Sequence, residues 1–347
     1  MNNYAPLFVS IENPYLTDAD RLLLQHPRVG GLVIFSKNFT SKQQMAALIA
    51  QIKALKSPPL LISVDHEGGR VQRFKEGFTL IPPMHAIGQI YQADHEQGLI
   101  LAKASGYIIG TELGAIGVDF SFTPVLDLDY GANSVIGNRS FHHDPEAVIH
   151  LAGALINGLA QTGMPAIGKH FPGHGYVSKD SHLELPEDPR SLAQMAPDLR
   201  PFQALQAKLA GMMTAHVRYP QIDPDIASFS AYWLKTLLRQ QWSYQGLIFS
   251  DDLRMKALDE IAEMNARAQL ALDAGCDVIL LCNEPTEKLI ELADQLLPRQ
   301  GTLDYTRLVN HPQSDPKTYE AAKHTLSQLN YKAQQPAADI VDPVSLL

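Results

Sequence analysis

The 347-residue chain carries 28 Lys plus Arg against 37 Asp plus Glu, a net charge of −9 with no long run of either sign, which argues against a nucleic-acid surface. Its 45% hydrophobic content suffices for the core of one large barrel or two modest domains. Met1-Asn2-Asn3-Tyr4-Ala5-Pro6 has no basic cluster leading into an apolar stretch, and no apolar run reaches membrane-spanning length. The expectation is a cytoplasmic protein without signal or membrane segment.

Apolar runs of strand length recur at 6–11, 29–35, 59–64, 118–125, 164–168, 211–217, 246–250 and 277–282. Most are continuous rather than alternating, as expected of parallel strands buried on both faces. Helical spacing separates them, at 17–26, then after Ser41 and Gln44, a capping-box pair leading into Met45, Leu48, Ile49, Ile52 and Leu55. Further helices are expected at 94–113, 144–160, 191–209, 230–240, 261–274 and 286–297. Eight strand–helix units predict α/β architecture as a single (β/α)₈ barrel of the TIM type. Cys276 and Cys282, both in the last apolar run, are expected as buried, reduced thiols. Residues 1–333 are expected to form one domain, with a last helix near 315–329 packed outside the barrel. The Ala- and Pro-rich tail, 334–347, is expected to be poorly ordered. Two long connections, 65–92 and 169–190, are the places to look for function.

Polar residues collect just after the expected strands. The third is followed by Asp65-His66-Glu67-Gly68-Gly69-Arg70-Val71-Gln72-Arg73, the fourth by Asp127 and Asp129 and then Gly137-Asn138-Arg139-Ser140-Phe141. The sixth contains His216, and the seventh ends in Asp251-Asp252. Each has a plain structural explanation: Gly68-Gly69 as a turn, Arg70 or Arg73 in an ion pair, His216 as a core histidine, Asp251 or Asp252 as a helix cap. Their coincidence at one barrel face favours function.

After the fifth strand, 169–182 packs Lys169, His170, His174, Lys179, Asp180 and His182 around Pro172, Gly173 and Gly175, so no regular helix or strand is expected through it. A solvated loop leaves that crowding unexplained, and a metal site lacks the helix that normally aligns a His pair four apart. The favoured interpretation is acid–base work by Asp180 and His182, the carboxylate holding the imidazole's tautomer. No phosphate-cradling motif or nicotinamide fingerprint is present, so no cofactor and no metal is expected. Carboxylates, cations and histidines forking onto vicinal hydroxyls suit a buried sugar ring. One aspartate could attack the anomeric carbon while a second group protonates the departing oxygen.

These motifs, Val64 to Arg73, Gly137 to Phe141, Lys169 to Gly175 with Asp180-Ser181-His182, Met213 to His216 and Phe249 to Leu253, resemble glycoside hydrolase family 3. Within it they are similar to the bacterial β-N-acetylglucosaminidases of peptidoglycan recycling. The resemblance runs from Gly30-Gly31 to Asp277. It implies Asp251 as nucleophile with Asp252 supporting it, and His182 as general acid/base with Asp180 as its partner. Asp65, Arg73, Arg139, Lys169 and His170 are implied to bind the terminal sugar, with His216 as a further substrate-site residue near the nucleophile. The implied substrate is N-acetylglucosamine β-1,4-linked to 1,6-anhydro-N-acetylmuramic acid, with or without peptide, cleaved in the cytoplasm by a protein expected to act as a monomer. His66 stands where glutamine is expected and Arg254 where serine is common, which puts subsite detail in question. The alternatives are a β-glucosidase, a β-xylosidase or a glycoside phosphorylase of the same family, a sugar-binding barrel without turnover, and a metal-dependent hydrolase.

Overall fold

The computed structural model describes residues 5–131, 133, 135–177, 185–259, 263–297 and 304–329. Eight strands form one sheet: β1 (Leu7–Val9), β2 (Val29–Ile34), β3 (Leu61–Val64), β4 (Phe120–Ser121), β5 (Ile167–Phe171), β6 (Gly211–Thr214), β7 (Leu247–Asp252) and β8 (Val278–Leu281). Their order is β4-β3-β2-β1-β8-β7-β6-β5, with every neighbouring pair parallel. The seam between β4 and β5 is bridged at Ser121↔Ala166 and Val125↔Lys169. There Lys169 donates its N–H to the Pro124 carbonyl at 3.1 Å, and its own carbonyl accepts from Leu126 at 2.7 Å. With helices around it, the sheet is the eight-stranded parallel barrel expected from the sequence.

The strand ends differ from expectation where the backbone chemistry differs. β4 is two residues rather than the run 118–125, because Pro124 has no N–H to continue a ladder and Thr123 turns back to the Ser121 carbonyl at 2.8 Å. β5 instead runs on through Lys169 and His170, whose polar side chains find buried partners inside the barrel mouth. Its pairing with β6 is irregular between Gly168 and Phe171. That irregularity breaks the strict alternation of faces, so Lys169 and His170 both reach the pocket.

Helix starts follow their caps. Thr17 and Asp20 form a reciprocal capping box, and Asp94, Asp144 and Asp315 each accept a first-turn N–H. Ser41 caps its helix by accepting from Gln44, but the Gln44 side chain accepts from Thr40 rather than completing the box. The helix expected over 191–209 is the shorter Ala196–Leu205, and that over 230–240 is Tyr232–Gln241 with wide π-type turns. The long connection after β3 holds a hairpin, His66–Gly68 with Val71–Gln72, and an unanticipated helix, Met84–Ala93. A second unanticipated hairpin, Arg218–Tyr219 with Asp223–Ile226, follows β6. The last helix, Pro316–Ser327, packs on helix His95–Gly114 outside the barrel, where Tyr319 donates to Glu112 at 2.6 Å. The tail from 330 onward lies outside the described residues.

An aromatic plug fills the barrel. Phe8, Phe120, Phe122 and Phe249 meet in tilted and edge-on pairs, and Val33, Phe35, Met213, Leu280 and Cys282 join them. The latter five also line the cavity above, so the plug is the floor of the site. Both cysteines are buried free thiols.

The helices His95–Gly114 and Pro145–Gln161 pack through reciprocal glycines. A Cβ on Gly106 would lie 2.1 Å from the Leu155 carbonyl oxygen, and one on Gly158 2.1 Å from that of Lys103. Gly106→Ala is therefore expected to cost roughly 1–3 kcal/mol, as overpacking does. Thermal unfolding should show a lowered midpoint with ordinary activity at low temperature, and an unchanged midpoint would refute the close-contact account.

Candidate active site

The pocket lies at the carboxyl ends of the strands. Asp65, Arg73, Arg139, Lys169, His170 and Asp251 all line it, together with Asp252, His174 and the apolar floor. The structure thus brings together, from four separate connections and strand ends, most of the residues singled out from sequence.

Their geometry is set by Glu67, which lies behind the pocket and is 2% exposed. Its carboxylate accepts a two-pronged hydrogen-bond pair from Arg139, at 2.8 and 2.7 Å, and lies 2.5 Å from Lys169 Nζ. Burial alone would raise its pKa, but Arg139 and Lys169 together hold it well below the usual carboxylate range. Lys169 also donates to Asp65 at 2.6 Å, and Arg73 stands 3.9 Å from the other Asp65 oxygen. The Arg73 guanidinium lies over the Phe35 ring, 5.5 Å from its centroid. Two carboxylates and three cations therefore form one connected set whose members cannot rotate independently.

Asp127 organises a second set. This fully buried carboxylate accepts from His170 Nδ1 at 2.7 Å, from the His170 N–H at 3.1 Å and from the His174 N–H at 2.7 Å. Although burial opposes ionisation, His170 and the His174 N–H keep its pKa below the ordinary value. A carboxylate can only accept here, so His170 carries hydrogen on Nδ1 and turns Nε2 toward Arg139, 3.4 Å away. His174 is fixed by Asn133, whose amide reaches its Nδ1 at 3.1 Å, its carbonyl at 2.8 Å and the Val177 carbonyl at 2.7 Å. Burial and the neighbouring His170 push the His174 pKa down to about 4. It presents a neutral ring to the pocket near pH 7.

Asp251 and Asp252 close β7 and differ in environment. Asp251 is partly exposed and its Oδ1 accepts the Asp252 N–H at 2.8 Å. Asp252 is 7% exposed; its Oδ1 accepts from the N–H groups of Arg254 at 3.1 Å and Cys282 at 3.2 Å. Burial, reinforced by the Asp251 charge and only partly offset by those donors, pushes its pKa up to about 7. Both aspartates line the cavity, and Asp251 is the more exposed of the two.

His216 does not join the wall. Its ring is fully buried, with Nδ1 2.7 Å from Ser228 Oγ and Nε2 3.0 Å from the Asp252 carbonyl oxygen. It braces the end of β7 from behind. The two departures, His66 and Arg254, are also off the pocket wall. His66 is packed against Phe74 and Phe78, and burial followed by Arg73 lowers its pKa to about 3, while Arg254 pairs with Glu284 at 2.8 Å. Asp180 and His182 lie outside the described residues.

Glu67, Asp127 and His174 stood among the polar residues collected at the strand ends but received no role from sequence, and Asn133 was not named at all. The roles of Glu67 and Asp127 could have been found by asking what neutralises Arg139, Lys169 and His170 once they are buried. Asn133 carries no comparable signal. Among the described residues, no group of three or more His, Cys, Asp or Glu is placed to hold a metal ion, and no helix is long and apolar enough to cross a membrane. A narrow cavity walled by fixed donors and acceptors over an apolar floor, with the partly exposed Asp251 carboxylate in its wall, suits capture of a polyhydroxylated ring beside a nucleophile.

Comparison with known proteins gives consistent results. The model of the glycosyl hydrolase family 3 N-terminal domain matches residues 9–307. A beta-hexosaminidase from Nitrosospira multiformis is 49% identical over 314 residues, covering 89% of this chain and 90% of that protein. The crystal structure of native NagZ from Neisseria gonorrhoeae superposes with a TM-score of 0.88 at 44% identity, covering 94% of this chain and 97% of the other. That of the same protein in complex with N-trifluoroacetyl-D-glucosamine gives a TM-score of 0.87 at 43% identity, over 94% and 98% of the two chains.

Proposed function

Because the chain belongs to glycosyl hydrolase family 3, we propose that it removes terminal β-linked N-acetylglucosamine from peptidoglycan fragments, with retention of configuration. The observation that carries this is the accessible Asp251 carboxylate facing a cavity shared with the Asp65–Lys169–Glu67–Arg139 set and the His170–Asp127 pair. Support for the sugar comes from the relative crystallised with an N-acylated glucosamine and from the relative named beta-hexosaminidase.

In this mechanism Asp65, Arg73, Arg139, Lys169 and His170 bind the hydroxyls of the terminal ring. An Asp251 oxygen attacks the anomeric carbon. The bond to the departing sugar breaks with its electron pair on the leaving oxygen, which takes a proton from imidazolium His182, itself oriented by Asp180. Water then gives a proton to the neutral His182 and attacks the anomeric carbon, releasing Asp251. The substrate is the disaccharide of N-acetylglucosamine and 1,6-anhydro-N-acetylmuramic acid, with or without peptide, handled in the cytoplasm by a monomer.

The deciding experiment is nitrophenol release from a panel of β-glycosides, N-acetylglucosaminide, glucoside and xyloside, followed by the anhydro disaccharide itself. Preference for the N-acetylglucosaminide supports the proposal, and preference for glucoside or xyloside overturns the substrate. Sugar 1-phosphate in phosphate buffer would replace hydrolysis by phosphorolysis. His182→Ala is expected to lose on the order of 10²-fold in kcat/KM on a poor leaving group and little on an activated one, because only the former needs the proton. Equal losses on both would assign His182 another role.

A further inference from the structure

Behind Asp251, a buried row of polar side chains ends on the residue that holds its carboxylate. Thr214 in β6 donates its hydroxyl to Ser228 Oγ at 2.8 Å, Ser228 Oγ stands 2.7 Å from His216 Nδ1, and His216 Nε2 stands 3.0 Å from the Asp252 carbonyl oxygen. The Asp252 N–H in turn donates to Asp251 Oδ1 at 2.8 Å. Thr214, His216 and Ser228 are all fully buried. Ser228 comes from the short 3₁₀ turn Ala227–Phe229, which is itself tied down: the Ala227 N–H donates to the Val217 carbonyl at 2.9 Å, and the Cys276 thiol reaches the Ser228 carbonyl at 3.6 Å.

The chemistry of the two ends gives the row a direction. A backbone carbonyl can only accept, so His216 carries hydrogen on Nε2 for Asp252. A neutral ring then has a bare Nδ1, to which Ser228 donates, while the Ser228 oxygen accepts from Thr214. Ser228 Oγ also lies 3.0 Å from the Ala215 carbonyl, but a hydroxyl has a single hydrogen to give. The contact with the ring is the shorter one, and giving the hydrogen to Ala215 would require a second ring hydrogen, hence a positive charge, in a fully buried site. Asp252 is thereby held at its carbonyl by His216 and at its Oδ1 by the N–H groups of Arg254 and Cys282, while its own N–H orients Asp251. The next carbonyl, that of Leu253, accepts from the Arg267 guanidinium at 3.0 Å.

We infer that Ser228 is a positioning residue for the attack by Asp251: it fixes the His216 tautomer whose Nε2–H holds the Asp252 main chain, and through it the nucleophile. This rests on the role proposed above for Asp251. Ser228→Ala removes the donor, so the tautomer with hydrogen on Nδ1 competes, and that tautomer turns a bare Nε2 lone pair on the Asp252 carbonyl. Ser228→Cys keeps a weak donor of similar size. Each protein is followed by the imidazole ¹⁵N signals of His216, by kcat/KM on phenyl and 2,4-dinitrophenyl β-glycosides of the sugar that the nitrophenyl panel selects, and by inhibition with that free sugar.

In the wild type the expected ring carries hydrogen on Nε2 alone, and hydrogen found on Nδ1 would overturn the inference without any variant. Ser228→Ala is expected to gain the Nδ1–H form and to lose roughly 10-fold in kcat/KM on both substrates alike, within the roughly 10²-fold that a 1 Å misplacement can cost. The losses are equal because attack by Asp251 is needed whatever the leaving group. Inhibition by the free sugar should change by less than about 2-fold, since the sugar-binding side chains are untouched. Ser228→Cys should recover part of both the tautomer and the rate. Unchanged kcat/KM in a Ser228→Ala protein whose tautomer has shifted, sugar binding lost in step with kcat/KM, or a Cys variant no better than the Ala variant would overturn the inference. Near-normal turnover in Asp251→Asn would instead remove the underlying role of Asp251, a failure visible without any Ser228 variant.

Discussion

Asp251→Asn is expected to reduce kcat/KM on the N-acetylglucosaminide by at least roughly 10⁴-fold, because an amide cannot form the glycosyl-enzyme bond. The fold should survive. The asparagine carbonyl can still accept the Asp252 N–H that Asp251 accepts at 2.8 Å, and the residue is only partly buried. Losing the Asp251 charge also removes one of the influences that raise the Asp252 pKa to about 7. Asp252 should therefore ionise at lower pH in the variant, visible as a shift in its carboxyl signal by NMR. Near-normal turnover with an intact fold would remove Asp251 from the mechanism.

Glu67→Ala is expected to destabilise the protein by roughly 3–5 kcal/mol, the cost of stripping a buried ion pair of one partner. That is a large share of the roughly 5–15 kcal/mol that holds a typical domain folded. Lys169 keeps Asp65 at 2.6 Å, so the burden falls on Arg139, which depends on Glu67 for its two-pronged contact. Glu67→Gln, with the same shape and no charge, should lie between the two.

The pH dependence follows from the sign of the Glu67 shift. Its folded-state pKa is depressed, since Arg139 and Lys169 outweigh the burial that acts the other way. The stabilisation is therefore fully present above the unfolded value of about 4.3 and is lost as pH falls below it toward the folded value. Urea unfolding between about pH 3 and 7 should show the wild type losing stability in the acid limb more steeply than Glu67→Gln. Parallel curves would mean that Glu67 is not the charge that holds the site.

The sequence by itself determined the barrel and the neighbourhood of the site. Continuous apolar runs separated by capped helical stretches specify parallel strands covered on both faces, and hydrophobic periodicity is a local property that survives in a one-dimensional reading. The same alternation puts Asp65 after β3, Lys169 and His170 at the carboxyl end of β5 and Asp251 at the end of β7, all toward one face of the molecule.

Tertiary structure decided which polar groups meet. Glu67 and Arg139 are 72 positions apart, and Lys169 and Asp65 are 104 apart. Their pairing exists only because the β4–β5 seam closes and brings the connections after β3, β4 and β5 over one floor. Closure likewise withdrew His216 behind β7, buried Asp252 beside a more exposed Asp251, and extended β5 through two residues that looked like loop. Local pattern reports which face a residue occupies. The charge state and orientation of a polar side chain depend on desolvation and on partners supplied from distant segments, and those appear only when the barrel is complete.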